Sequence, residues 1–454
     1  MGDKQIRIGQ LIAPFGPGSI YVDRRGTPHV VCGLDHWFER WDPARGWVHC
    51  DHPDEFERGE PRLSAILRVN RFRIPPDHRH VKPGGQPPPN AGLNVPAHRF
   101  PRWHRNTLTG EMRMFSFATE RVERPKDGGR WQPVRFVSVC AGGHLCEFPW
   151  KQWIGCNCPG DEKLKLTDLG GADLSSIRVR CDSCPAGSPG RKGKSLAGTT
   201  GRPDATGGEE SAFQKAGIGC PGERPWLGDG ADEKECPYPL VGALIHQTNL
   251  YFPRTISAIT IPDLRPLSPE VAKLRGKVER LPTLGSAKLA WELGRRPGAV
   301  GLLREELRDA GIQFRDEHLE EVLVGLFDRG AVAPPTDAAP PAESEPEILA
   351  FRRAEFSVLR DEIEAPLESP NLRVVRTSVP ESLSPWISRV RIVEKLKEAR
   401  VFFGFDRLDP NSHPLTDMPD TAMRQLFRDP PNEPEQRWLP MVEVFGEGIY
   451  IEID

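Results

Sequence analysis

The chain has no apolar run approaching the ~18 residues needed to cross a bilayer, and its opening, MGDKQIRIGQLIAPFGPGS, has no apolar signal core followed by a small-residue cleavage site. A membrane or secreted protein is therefore not expected, and the chain reads as soluble and cytoplasmic. Charge of one sign is scarce too. With a net charge of -3 over 454 residues, bulk attraction to nucleic acid is excluded, so any such binding has to come from local patches. Familiar catalytic signatures are missing: there is no dinucleotide fingerprint, no nucleophile elbow and no histidine-lysine-aspartate phosphodiesterase motif. The loop SPGRKGKS at 188–195 approaches a phosphate-binding Walker loop, but Ser188 stands at its first glycine and no apolar strand precedes it. The acidic DEHL at 316–319 reads as a solvated helix start. Nothing in the sequence assembles an active site.

What is abundant is proline, glycine and clustered cysteine. The 47 prolines and 44 glycines make up a fifth of the chain, against roughly 12% in ordinary globular domains, so loops and short strands are expected. Eight of the ten cysteines and one histidine fall between Cys140 and Cys236. A reducing interior disfavours disulfides and leaves thiolates free for metal. Tetrahedral zinc needs four soft or borderline donors, and a close pair on one turn supplies two of them without straining the backbone. By order along the chain, Cys140, His144, Cys156 and Cys158 form one set, and Cys181, Cys184, Cys220 and Cys236 the other. Spacing leaves open an exchange of ligands between the sets. A third group, Cys32 with His36 and His49, Cys50 and His52, sits around VVCGLDHWF, which reads as a buried strand with Cys32 as a small apolar residue.

Cationic candidates for phosphate contact are Arg191, Lys192 and Lys194 in the 188–195 loop, and Arg102 in RFPRWHR. In the latter stretch Phe100 and Trp103 read as core.

The pattern predicts an α+β, multi-module, loop-rich chain. Residues 1–135 read as a β-rich module with a proline-rich loop from Pro75 to Pro101, and 136–262 as a zinc-binding module. A helical subdomain follows at 263–330, where SPEVAKLRGKVERL, LLREELRDAG and DEHLEEVLVGLFDRG carry apolar residues three and four apart. Residues 331–347 read as a linker and 348–454 as an α+β module. Within it, ILAFRRAEFSVLRDE and WISRVRIVEKLKEARVFFGF read as helices, NLRVVRTSV and the closing WLPMVEVFGEGIYIEID as strands. An apolar helix-like stretch is also expected in LVGALIHQ. The chain stops inside an apparent strand, which suggests that further sequence follows.

The blocks FVSVCAGGHLCEFPWKQWIGC, IRVRCDSC, GIGCPGERPWLG and LIHQTNLYFPRTISAITIP resemble the DrmB family, the helicase-associated component of the DISARM bacterial anti-phage system. The early FGPGS and GLDHW and the late LKEARVFFGFDRL and WLPMVEVFGEGIYIE resemble it in the same order. The resemblance implies a non-enzymatic, zinc-containing partner of the superfamily 2 helicase DrmA, acting on invading DNA. It also implies that the block around Cys140 and His144, with Cys181, Cys184, Cys220 and Cys236, supplies metal ligands. Where relatives often carry a CxxC after the RFPxW block, this chain reads HRNTLTGEM, and no metal site is expected there. A different class, a metal-dependent nuclease with structural zinc, is separated from this reading by an assay for magnesium-dependent cleavage.

Overall fold

Strands in the first half are short because proline and glycine interrupt them every few residues, and each small sheet needs another layer to bury its face. The structure is a computed structural model that describes residues 6–42, 44–49, 53–76, 90, 93–116, 122, 124–159, 163–170, 174–202, 210–232, 236–261, 269–278, 280–292, 296–327, 347–360, 367–368, 371–410, 420–433 and 436–453. It is an α+β chain of two units: residues 1–58, 67–256 and 400–442 form the first, and 59–66, 257–399 and 443–454 the second.

The first unit is built largely from three-stranded antiparallel sheets. Pro28–Val31 lies between Ile20–Val22 and Ala97–Arg99, and Trp103–Asn106 between Trp131–Pro133 and Met112–Met114. Phe136–Val139 lies between Leu145–Glu147 and Val241–Leu244, and Ile177–Cys181 between Leu164–Asp168 and Lys194–Ser195. The last two sheets share an aromatic core. Phe148 stacks on Trp150 at 4.3 Å between ring centroids, and Phe213 meets Phe148 and Trp153 edge-on at 5.4 and 5.5 Å. Phe100 and Trp103 are buried, as the core reading of RFPRWHR requires. Cys32 is buried just beyond the strand Pro28–Val31, acting as the small apolar residue expected. Cys50 and His52 lie outside the described residues.

The second unit holds the expected helices Pro269–Val278, Leu284–Glu292, Arg296–Asp309 and Asp316–Phe327. Leu303 and Leu307, one turn apart, meet Leu319, Val322 and Leu323 in a core of their own. The helix Glu347–Arg360 and the strand Leu372–Thr377 fall where the sequence places them. All of the 331–347 linker except Glu347 lies outside the described residues, as do 77–89 of the proline-rich loop.

Two expectations fail. WISRVRIVEKLKEARVFFGF is not a helix: Ile387–Asp406 is one strand of 20 residues. Its β-branched and aromatic residues favour extended backbone, Gly404 at φ 142° cannot belong to a helix, and Leu372–Thr377 provides a partner with Val374 opposite Val393. Similarly, LVGALIHQ contains the strand Val241–Leu244, because pairing with Phe136–Val139 overrides its apolar, helix-like composition.

Candidate metal centres

Cys140 and His144 flank a tight hairpin. Cys140 follows the strand Phe136–Val139, His144 precedes Leu145–Glu147, and the Gly143 N–H donates to the Cys140 carbonyl at 3.1 Å. The turn requires Gly143 at φ 87°, where a side chain would be strained. On this hairpin His144 Nδ1 lies 3.3 Å from Cys140 Sγ and 3.7 Å from Cys220 Sγ, and Cys236 Sγ lies 3.7 Å from Cys140 Sγ. The Leu145 N–H donates to the Glu223 carbonyl at 3.2 Å, tying the loop that carries Cys220 to the hairpin.

The second group is Cys156, Cys158, Cys181 and Cys184. Cys181 ends the strand Ile177–Cys181, and the Cys184 N–H turns back to the Cys181 carbonyl at 3.3 Å. Cys156 follows the helix Trp150–Trp153, held by its N–H to the Lys151 carbonyl at 2.9 Å. Cys184 Sγ is 3.4 Å from Cys156 Sγ and 3.5 Å from Cys158 Sγ.

Within each group the four donor atoms lie within 4.8 Å of one another. Four ligands about 2.3 Å from a tetrahedral zinc stand about 3.8 Å apart, so these separations fit a common ion. They are far too long for disulfides, whose sulfurs sit about 2.05 Å apart. The same eight residues singled out by spacing come together, but the pairs exchange partners. Cys220 and Cys236 join Cys140 and His144, while Cys156 and Cys158 join Cys181 and Cys184.

The thiols are poised to exchange protons for a cation. Neighbouring Cys220 and burial push Cys140 up to about 12, and burial with the adjacent thiols pushes Cys184 to about 12. Cys181 moves the other way. Burial opposes its ionisation, but hydrogen bonds from Cys156 and from the Ser183 and Cys184 backbone lower it. Without a cation the raised thiols hold their protons at neutral pH, so metal binding has to release them.

Three features around the first centre carry no local sequence signal. Arg407 is fully buried and donates to the carbonyls of Gly143, Leu250 and Gly18 at 2.9, 2.6 and 2.8 Å, with its guanidinium 4.7 Å from the Phe405 ring centroid. Burial lowers its pKa to about 10, and nearby Tyr251, Cys140 and Cys146 partly restore it. Cys146 is a fourth thiol beside this centre, buried and hydrogen-bonded with Cys220 but outside the quartet. Glu147 accepts the Arg102 N–H at 2.7 Å, and burial pushes its carboxyl up to about 7 against the pull of Arg102.

The four cationic candidates scatter over the first unit. Arg102 Nε lies 3.5 Å from Glu147 and its NH1 3.5 Å from Asp229. Arg191 bonds the Asp182 carbonyl and lies 3.8 Å from the Asp182 carboxylate, and Lys194 sits 3.4 Å above the Trp153 ring centroid. Lys192 is exposed at the end of the short helix Pro189–Lys192, capped by Ser188.

Residues 7–252, which hold both centres, match the model of a family described as a domain of unknown function, DUF8724. The chain belongs to this family. It is also similar to the DISARM protein DrmB of Bacillus paralicheniformis, 23% identical over 432 residues, which cover 90% of this chain and 65% of that protein. The chain is thus a distant relative of DrmB that spans just under two thirds of its length. Both quartets lie within the DUF8724 region and are compatible with zinc. Among the described residues no helix is long and apolar enough to cross a membrane.

Proposed function

We propose that this chain is a non-catalytic, zinc-stabilised subunit of a DISARM-type anti-phage complex, which binds a DrmA-type superfamily 2 helicase and supports its engagement of DNA. The observation that carries the reading is the closure of both donor quartets. A zinc ion held by four protein ligands has no open position for a substrate, so its chemistry is structural. Cys140, His144, Cys220 and Cys236 hold one ion in this proposal, and Cys156, Cys158, Cys181 and Cys184 the other. The ions fix loops whose short strands bury too little apolar surface to order themselves. Similarity to a DISARM protein along 90% of the chain supports the placement in such a complex. Lys192 and its neighbours Arg191 and Lys194, with Arg102, are the proposed phosphate contacts.

Metal analysis and co-expression test this together. The purified chain is expected to carry about two zinc ions, and to co-purify with the helicase of the same defence locus. A metal-free, stable protein would remove the basis of the reading. Cleavage of labelled duplex DNA with magnesium, lost on replacing acidic residues, would favour the nuclease class instead.

A further inference from the structure

Beside the first centre lies a cavity of about 190 Å³ whose wall carries Arg224, Arg254 and Arg424 with Thr421 and His144. No carboxylate lines it among the described residues. The three guanidiniums are not equivalent. Arg224 Nε donates to the Ala231 carbonyl at 2.8 Å and its NH1 to the Arg424 carbonyl at 3.3 Å, which fixes its fork. Arg254 is held over the Phe403 ring at 4.9 Å from the centroid, with its Nε 3.8 Å from the buried Asp406 carboxylate. Arg424 is exposed, and neither its guanidinium nor the Thr421 hydroxyl has a hydrogen-bond partner among the described residues. Gln425, which follows Arg424, spends both ends of its amide on the Phe405 backbone, accepting its N–H at 3.0 Å and donating to its carbonyl at 2.8 Å. The neighbouring helix position is thereby tied to the strand Ile387–Asp406.

Among the described residues that line the cavity, the charged side chains are guanidiniums, and the Asp406 carboxylate meets Arg254 from outside the lining. Guanidiniums on one wall, that of Arg424 without a hydrogen-bond partner among the described residues, together with a hydroxyl on the same wall, match an oxyanion bearing several acceptor oxygens. We infer that this cavity binds a phosphate group, carried either by a nucleic-acid backbone or by a small phosphorylated compound. The site goes beyond the reading above and does not depend on a helicase partner. Its place next to the hairpin of Cys140 and His144 means that the metal-supported turn, through Gly142 and Gly143, also forms one wall of the phosphate site.

The test uses the zinc-loaded 454-residue chain. Inorganic phosphate titrated at constant ionic strength is expected to bind, read by calorimetry, and Arg424→Gln to weaken it about tenfold or more, the loss of a charge-assisted hydrogen bond. Thr421→Val provides a second, milder variant, and zinc content with melting temperature shows that both variants fold. A single-stranded oligonucleotide, read by fluorescence anisotropy, separates the sources. If phosphate and oligonucleotide both bind and both weaken in Arg424→Gln, the group is a backbone phosphate. If phosphate binds and the oligonucleotide does not, the cavity serves a small phosphorylated compound, and the DNA reading falls while the site stands. Absence of phosphate binding, or phosphate and oligonucleotide affinities that Arg424→Gln leaves unchanged, overturns the proposal, even where the chain binds DNA elsewhere.

Discussion

Glu147 shows how one buried group imposes a pH dependence. Its Oε1 accepts the Arg102 N–H, its Oε2 has no partner among the described residues, and its own N–H donates to Glu223 at 2.8 Å. Burial raises the folded carboxyl to about 7, above the ordinary 4.5, so the native state holds a proton that the unfolded chain has lost. The stability this contributes is fully present below pH 4.5 and disappears as pH rises through about 7. Glu147→Gln removes that loss, so its melting temperature relative to the parent is expected to rise between pH 5 and pH 8; a gap that does not change with pH would refute the assignment. His104, lowered by burial to about 4, acts with the opposite sign, since its stability is present above 6.5 and lost as pH falls through about 4. Both proteins carry His104, so it cancels in the difference. Arg407 makes a second residue-scale case. One guanidinium satisfies three carbonyls in different directions, which a lysine ammonium on a flexible stem cannot reproduce. Arg407→Lys is expected to cost about 2 kcal/mol or more in urea denaturation with saturating zinc.

Among the elements, the short helix Pro189–Lys192 bears on the second centre. A Cβ on Gly190 would come 2.5 Å from Cys184 Sγ and 3.4 Å from the Cys156 Cβ. Gly190→Ala is therefore expected to displace Cys184 and weaken zinc at that centre while sparing the other. A chelator competition should then resolve one weakened and one unchanged ion, and two unchanged affinities would show that the thiol moves freely. The same region shows what the sequence reveals. The eight donors were legible because few roles other than metal binding call for so many thiols in a loop-rich stretch. Their grouping was not, because it depends on which strands pair. Val139 pairs with Val241, which brings Cys236 to Cys140, and Leu164 pairs with Cys181, which brings Cys181 to the segment after Cys158. Neither pairing leaves a mark in the spacing. The strand Ile387–Asp406 escapes the sequence reading for a related reason: its central KLKEAR favours a helix, and what decides the matter is pairing with another element, Leu372–Thr377, which local composition does not show.

At the scale of the molecule, the two units draw stability from different sources. In the first, the strands around the quartets run three to five residues each, and their shared core includes Cys146, Cys156, Cys181 and Cys184 themselves. Stripping metal from such a core leaves buried thiols that must stay protonated and loops with nothing to hold their ends. In the second, the helices between Pro269 and Phe327 close over their own apolar residues, including Leu303, Leu307, Leu319 and Leu323. Each fully buried leucine there contributes roughly 1.5–3 kcal/mol, with no need for an ion. Chelation is therefore expected to abolish hydrogen-exchange protection in the strands Phe136–Val139 and Ile177–Cys181 and to leave it in the helices Arg296–Asp309 and Asp316–Phe327. Protection that survives in the strands after zinc is gone would mean that the aromatic core around Trp150 and Phe213 suffices alone. Loss of protection in all four segments at once would mean that the helices depend on the metal-bearing unit, and that the two cores form a single cooperative structure.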